Sequence, residues 1–179
     1  MTNRNASFLP FQTWYYQYLS THGVDRATGL WCSPAQKQKH GVGNCIGGSF
    51  HIDFVFTHAG QPFPAPLAQL NASLALQLAD GKWSESNWYL NIDGVYQVTR
   101  PSVQAGKARW GEVRHACDRL MAKVVPTLND ESKLLGDVSR NSHILPALVA
   151  SVAECGHWFP DMVVTQRPWK LCLDEVPYI

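Results

Sequence analysis

A chain of 179 residues is long enough for one domain with a buried core, and a composition of 45% hydrophobic against 16% charged residues excludes a disordered chain. A formal charge of +1, with Lys and Arg scattered, argues against nucleic acid or an anionic membrane as the main partner. No apolar stretch approaches the roughly 20 residues that span a bilayer, and "MTNRNASFLPF" lacks the apolar segment of a signal peptide.

Apolar residues recur every three to four positions along most of the chain, which predicts helices. In "FLPFQTWYYQYLSTH", Phe11, Trp14, Tyr15, Tyr18 and Leu19 fall on one helical face. The Gly-, Ser- and Pro-rich run from Gly23 to Gly48 reads as a long loop. A second helix is expected over "GSFHIDFVFTHAG", ending at Gly60. After the breaker "QPFPAP", Pro66 suits a helix start, and Leu67, Leu70, Leu74 and Leu78 form a stripe that Gly81 stops. "WYLNIDGVYQVTR" reads as a fourth helix ended by Pro101, and "GKARWGEVRHACDRLMAKVV" as an amphipathic fifth. "DVSRNSHILPALVASVAECG" gives a sixth, capped by Asp137 or Ser139 and closed by Gly156. The Pro-broken tail from His157 is expected to pack as an irregular strap. The expected fold class is all-α, in a single domain.

Cys32, Cys45, Cys117, Cys155 and Cys172 are odd in number, widely spaced and without a CxxC pair. That pattern reads as reduced thiols in a cytoplasmic setting rather than as a disulfide framework or zinc knuckle. No Gly-rich phosphate loop, GxSxG, HExxH or EF-hand loop is present in the sequence, so no cofactor or metal is implied by motif.

Two stretches share a pattern. "THGVDRATGLWC" and "LQLADGKWS" each run acid, turn glycine, one residue, Trp, and each leads through a linker to an apolar helix carrying an Asp, in "GGSFHIDFVF" and "NIDGVYQV". Two-helix repeats of this length signal a stacked array or a closed ring of hairpins. Gln77, Asp80, Gly81, Trp83, Asp93 and Tyr96 resemble a repeat of the α/α toroids of terpenoid cyclases and protein prenyltransferase β-subunits. Those repeats run Gln, Asp-Gly or Gly-Gly, an aromatic residue, a spacer, Asp, then Tyr. "VDRATGLWCS" matches the same turn, and the α/α toroids of polysaccharide lyases and glycosidases share the outline. The resemblance covers Asp25 to Arg100. It implies antiparallel αα-hairpin repeats in a half or incomplete α/α toroid: half a ring, a homodimer's share, or the C-terminal part of a longer toroid. Val95 stands where prenyltransferases carry a zinc-binding Cys, and the consecutive aspartates of terpene cyclases are absent, so zinc is not expected.

The same comparison directs attention to the starts of the inner helices, which in a ring face one mouth. Asp93 and Asn91 there either cap the fourth helix or contribute to a site. His51 and Asp53 lie two apart, so on a helix they point about 200° from each other and only one can face a cavity. Asn141 and His143 recur near the start of the third inner helix. Trp83, Trp88, Tyr89 and Tyr96 are core residues or ligand platforms. The functional expectation is an aromatic-lined cavity for a small-molecule or oligomeric ligand, isoprenoid or glycan-like. Asp93, His51, His143 and Asp53 would supply acid–base chemistry, and Asn91, Asn141 and the aromatic residues ligand contacts. The alternative is a non-catalytic helical-repeat module that binds a protein or self-associates.

Overall fold

In the computed structural model, which describes residues 9–165, 167 and 169–175, the regular elements are all helical. They are α1 (Leu9–Tyr18), a π-helical turn (Leu19–Gly23), α2 (Pro34–His58), α3 (Pro66–Ala75), α4 (Tyr89–Gln104), α5 (Trp110–Asn129), α6 (Glu131–Arg140), α7 (Ile144–Trp158) and the short α8 (Cys172–Glu175). Among the described residues there is no strand. No helix among them is long and apolar enough to cross a membrane.

Helix α4 is the hub. Every residue from Asn91 to Thr99 is buried, as expected of a helix covered on all sides. It packs against α2, α3, α5 and α7. One apolar cluster joins α3, α4, α5 and α7 through Leu70, Val95, Val98, Leu120, Leu148 and Val152. A second, rich in rings, joins α2, α4 and α7 through Phe50, Phe54, Phe56, Ile92, Tyr96 and Ala150. Inside the first, Cys117 on α5 and Cys155 on α7 lie beside each other, both fully buried.

Several boundaries differ from the sequence reading, each for a local reason. Half of the expected loop is helix: Ser33 Oγ accepts from Gln36 N–H at 3.2 Å while Ser33 N–H donates to Gln36 Oε1 at 3.1 Å, a reciprocal cap with Pro34 in the first turn. Gly41 (φ 75°) kinks α2 there without ending it. The third helix stops at Ala75, well before Gly81. Pro101 lies inside α4 rather than ending it, because loss of one N–H is tolerated in a segment packed on every side. The expected sixth helix is two, broken at Asn141, whose Oδ1 accepts from His143 N–H at 2.9 Å. Asp137 and Ser139 therefore sit inside α6, and Gly156 inside α7. Asp130 caps α6, with Oδ1 accepting from Lys133 N–H at 3.0 Å.

Cysteine usage also needs correction. Cys32 and Cys45 are joined in a disulfide, with Cα atoms 5.6 Å apart. The helix begun at Pro34 carries Cys45 back beside Cys32 against buried Leu30, a proximity that a spacing of 13 residues does not reveal. The cytoplasmic reading thereby loses its support from free thiols. On α1, Phe11, Trp14, Tyr15 and Tyr18 share a face as expected, but that face is exposed, while Tyr16 packs edge-on against Phe56.

Candidate functional site

The two Gly–x–Trp turns close in the same way. Asp25 N–H donates to Leu30 O at 2.8 Å, and Leu78 N–H to Lys82 O at 2.7 Å. Gly29 (φ 70°) and Gly81 (φ 93°) take the left-handed conformation each turn needs. A Cβ at either would also strike the backbone of a neighbouring helix, Gln69 N on α3 or Arg119 O on α5. In each, the Trp N–H is taken by a side chain of the helix that follows: Trp31 by Ser49 Oγ at 2.8 Å, and Trp83 by Asn91 Oδ1 at 2.7 Å. The indole of Trp83 donates to Ser73 O at 2.8 Å and lies against Gly94, where any Cβ would collide with the ring.

These contacts sort the predicted residues. Asn91 serves the Trp83 turn and is itself buried. Trp83 is a buried wedge, and Tyr96 is fully buried with its hydroxyl donating to Thr57 Oγ1 at 2.8 Å. Trp88 is half-buried beneath Lys82, whose Nζ lies 5.7 Å from the ring centroid. Asp53 is fully enclosed instead of standing at a helix start: Trp31 Nε1–H donates to it at 2.6 Å, and the Gln69 and Gln97 amides donate to its other oxygen. Burial pushes Asp53 up to about 7, against the pull of these three donors. It is a structural knot that joins α2, α3 and α4, and its carboxyl is spent on protein donors.

A cavity of about 420 Å³ opens between α2, α4 and α7, within the size range of small-molecule sites. Helix α2 contributes Phe50 and His51, α4 contributes Tyr89, Ile92 and Asp93, and the α7 end contributes His143, Pro146, Ala147 and Ala150. Leu173 of α8 completes the wall. Of the predicted residues, the structure thus brings together His51, Tyr89, Asp93 and His143. Asn141 stands behind His143, its Oδ1 lying 3.1 Å from the ring Nδ1. Asp93 is the deep polar group. It is only 5% exposed, lies one turn into α4 rather than at its start, and has no hydrogen-bond donor among the described residues. It is therefore not a cap. Burial alone pushes its carboxyl up to about 8, so it is protonated at neutral pH. Gly47 of α2 packs close to it: a Cβ there would lie 3.3 Å from Asp93 Oδ2 and 3.1 Å from Leu90 Cδ2.

Sequence reasoning missed the apolar wall, although its signal was available. Residues 89, 92 and 93, and residues 143, 146, 147 and 150, are single helical stripes running on from the residues already singled out. It also missed Glu154, an acid inside the apolar run "ALVASVAECG". Glu154 is fully buried on α7 and receives Arg100 of α4 in a two-pronged ion pair at 2.7 and 2.8 Å, with Thr99 Oγ1 and Trp158 Nε1 each donating at 2.8 Å. Burial would raise its pKa, but Arg100 and these donors hold it below the usual carboxylate range. The zinc that the prenyltransferase resemblance brings to mind does not fit this donor set. Val95 is buried in the core, and among the described residues no group of three His, Cys, Asp or Glu side chains is gathered. No family model, curated protein or solved structure matches the chain.

Proposed function

We propose that the chain binds a small, largely apolar molecule in the cavity between α2, α4 and α7, and that Asp93 exchanges a proton or a hydrogen bond with it. One observation carries this reading: Asp93 is a buried carboxyl without a donor among the described residues, set in an apolar wall. Structural carboxyls elsewhere in the chain are saturated by partners, as Asp53 and Glu154 are. An acid with a pKa of about 8 is poised for general acid–base work near neutrality. His51 and His143 at the rim are the groups that would pass a proton to or from solvent. The wall favours an isoprenoid-like ligand over a glycan-like one, because a sugar needs several donors and acceptors that Ile92, Ala147, Ala150 and Leu173 do not supply. The like closure of the two Gly–x–Trp turns supports a repeat of αα-hairpins, a half or incomplete α/α toroid with its cavity among the inner helices.

Calorimetric titration with geraniol and with cellotriose tests this. Geraniol should bind at one site, weakened about tenfold or more by Asp93→Asn and by His143→Ala at unchanged melting temperature. Binding of cellotriose alone, or geraniol binding indifferent to both variants, would overturn the reading.

A second reading, a module that self-associates, draws on the exposed stripe of Phe11, Trp14, Tyr15 and Tyr18, whose rings lie 5.3 to 6.0 Å apart. Sedimentation that is concentration-dependent for the native chain and monomeric for Trp14→Ser would support it.

A further inference from the structure

We infer that the ligand of this cavity carries a positive charge: an apolar amine, held as its ammonium against the ionised carboxylate of Asp93. The inference rests on the reading of the cavity as a ligand site and names the class of molecule it takes.

Groups from four helices wall the cavity that holds Asp93. Helix α2 presents His51 and Phe50, α4 presents Tyr89, and the start of α7 presents His143. Helix α8 presents Leu173, while its neighbour Asp174 turns away to Arg100 at 3.1 Å. Among the described residues neither Lys nor Arg lines the cavity, so an anionic head group would meet a carboxyl and no fixed counter-charge there. The other buried acid with a charge to hold, Glu154, is provided with a guanidinium and two further donors. Asp93 is provided with no donor among the described residues. A buried carboxylate without a partner is costly, and the free protein resolves this by keeping the proton. An ammonium entering the cavity resolves it by pairing, and the aromatic residues Phe50 and Tyr89 stand in the same wall, a type of side chain whose ring attracts a cation over a neutral group. The proton balance follows. The free amine is already an ammonium at neutral pH, so forming the pair sends the proton of Asp93 to solvent. Below about pH 8, binding should therefore release close to one proton and should tighten as pH rises.

Geranylamine, geraniol and geranate share one carbon skeleton and differ in head group. Calorimetry at pH 6.5 and 7.5, in buffers of different ionisation enthalpy, gives affinity and proton release together. Geranylamine should bind about tenfold or more tighter than geraniol, geranate weakest of the three, with proton release accompanying the amine alone. In Asp93→Asn the preference for the amine should fall to about one and the release should vanish. Equal binding of amine and alcohol by the native protein would overturn the charge inference and leave the cavity reading standing. Failure of all three probes to bind would overturn both. Release that persists in Asp93→Asn would place the proton on His51 or His143 and overturn the pairing. Should that variant fail to fold, the native protein decides alone, since amine binding without proton release is fatal to the proposal.

Discussion

Asp93 and Trp83 show how one residue can be read for both stability and function. Trp83 is enclosed between Ser73 and Gly94 and donates its indole N–H, so Trp83→Ala leaves a large hole and an unpaired carbonyl. The expected loss is about 3–5 kcal/mol in urea unfolding; a loss under about 1 kcal/mol would show the ring to be dispensable. Asp93 works in the opposite direction. Its folded pKa of about 8 stands above that of the unfolded chain, so the folded protein keeps a proton that the unfolded chain has lost. Stability from this group is complete below about pH 4 and declines as pH rises towards about 8. Asp93→Asn should therefore melt no lower than the native chain at pH 7.5, with a flatter dependence of Tm on pH between about 5 and 8. A marked drop at pH 7.5 would mean that the carboxylate is stabilised by contacts absent from this structure. The sequence made Asp93 visible because an acid in an apolar run demands an explanation. It could not distinguish Asp93 from Asp53 because the difference lies in donors from elsewhere in the chain: Trp31, Gln69 and Gln97 converge on one and, among the described residues, none on the other.

Among the elements, the tie between α4 and α7 is the one most open to a direct test. Glu154 is fully enclosed and Arg100 nearly so, and their ion pair spans two helices that meet along the cavity. Glu154→Ala leaves a buried guanidinium without its principal partner and should cost about 3–5 kcal/mol. Chemical denaturation would measure this, and a cost near that of a surface pair would assign the holding role to Asp174 instead. Helix existence was legible from periodicity, whereas helix ends were not. The α2 start was hidden because Gly41 and Gly43 make a helical segment look like a loop, although "SPAQ" spells out the cap. The α6–α7 break was hidden because Asn141 ends one helix and orients the next within an apolar pattern that continues across it. At Pro101 the usual stop rule lost to packing on all sides of α4.

The whole molecule is organised around one shared helix. Val95 and Val98 of α4 belong to one apolar cluster, Ile92 and Tyr96 to the other, so neither can dissolve without exposing α4. Unfolding should accordingly be a single transition, with far-ultraviolet circular dichroism and tryptophan fluorescence tracing the same midpoint. Separate midpoints would indicate two independent units. The all-helical class was legible because a spacing of three to four residues recurs in segment after segment. The convergence on α4 was not, since no local pattern states which helix lies in the middle. The thiols of Cys117 and Cys155 turn this arrangement into a clock. One sits on α5 and the other on α7, both fully buried and in contact, so an alkylating reagent must wait for the two helices to part. Peptide-resolved mass spectrometry under native conditions should find both sites modified at one common rate, which then reports how often the core opens. If Cys155 reacts alone, α7 leaves without α5, and the cavity has a door of its own.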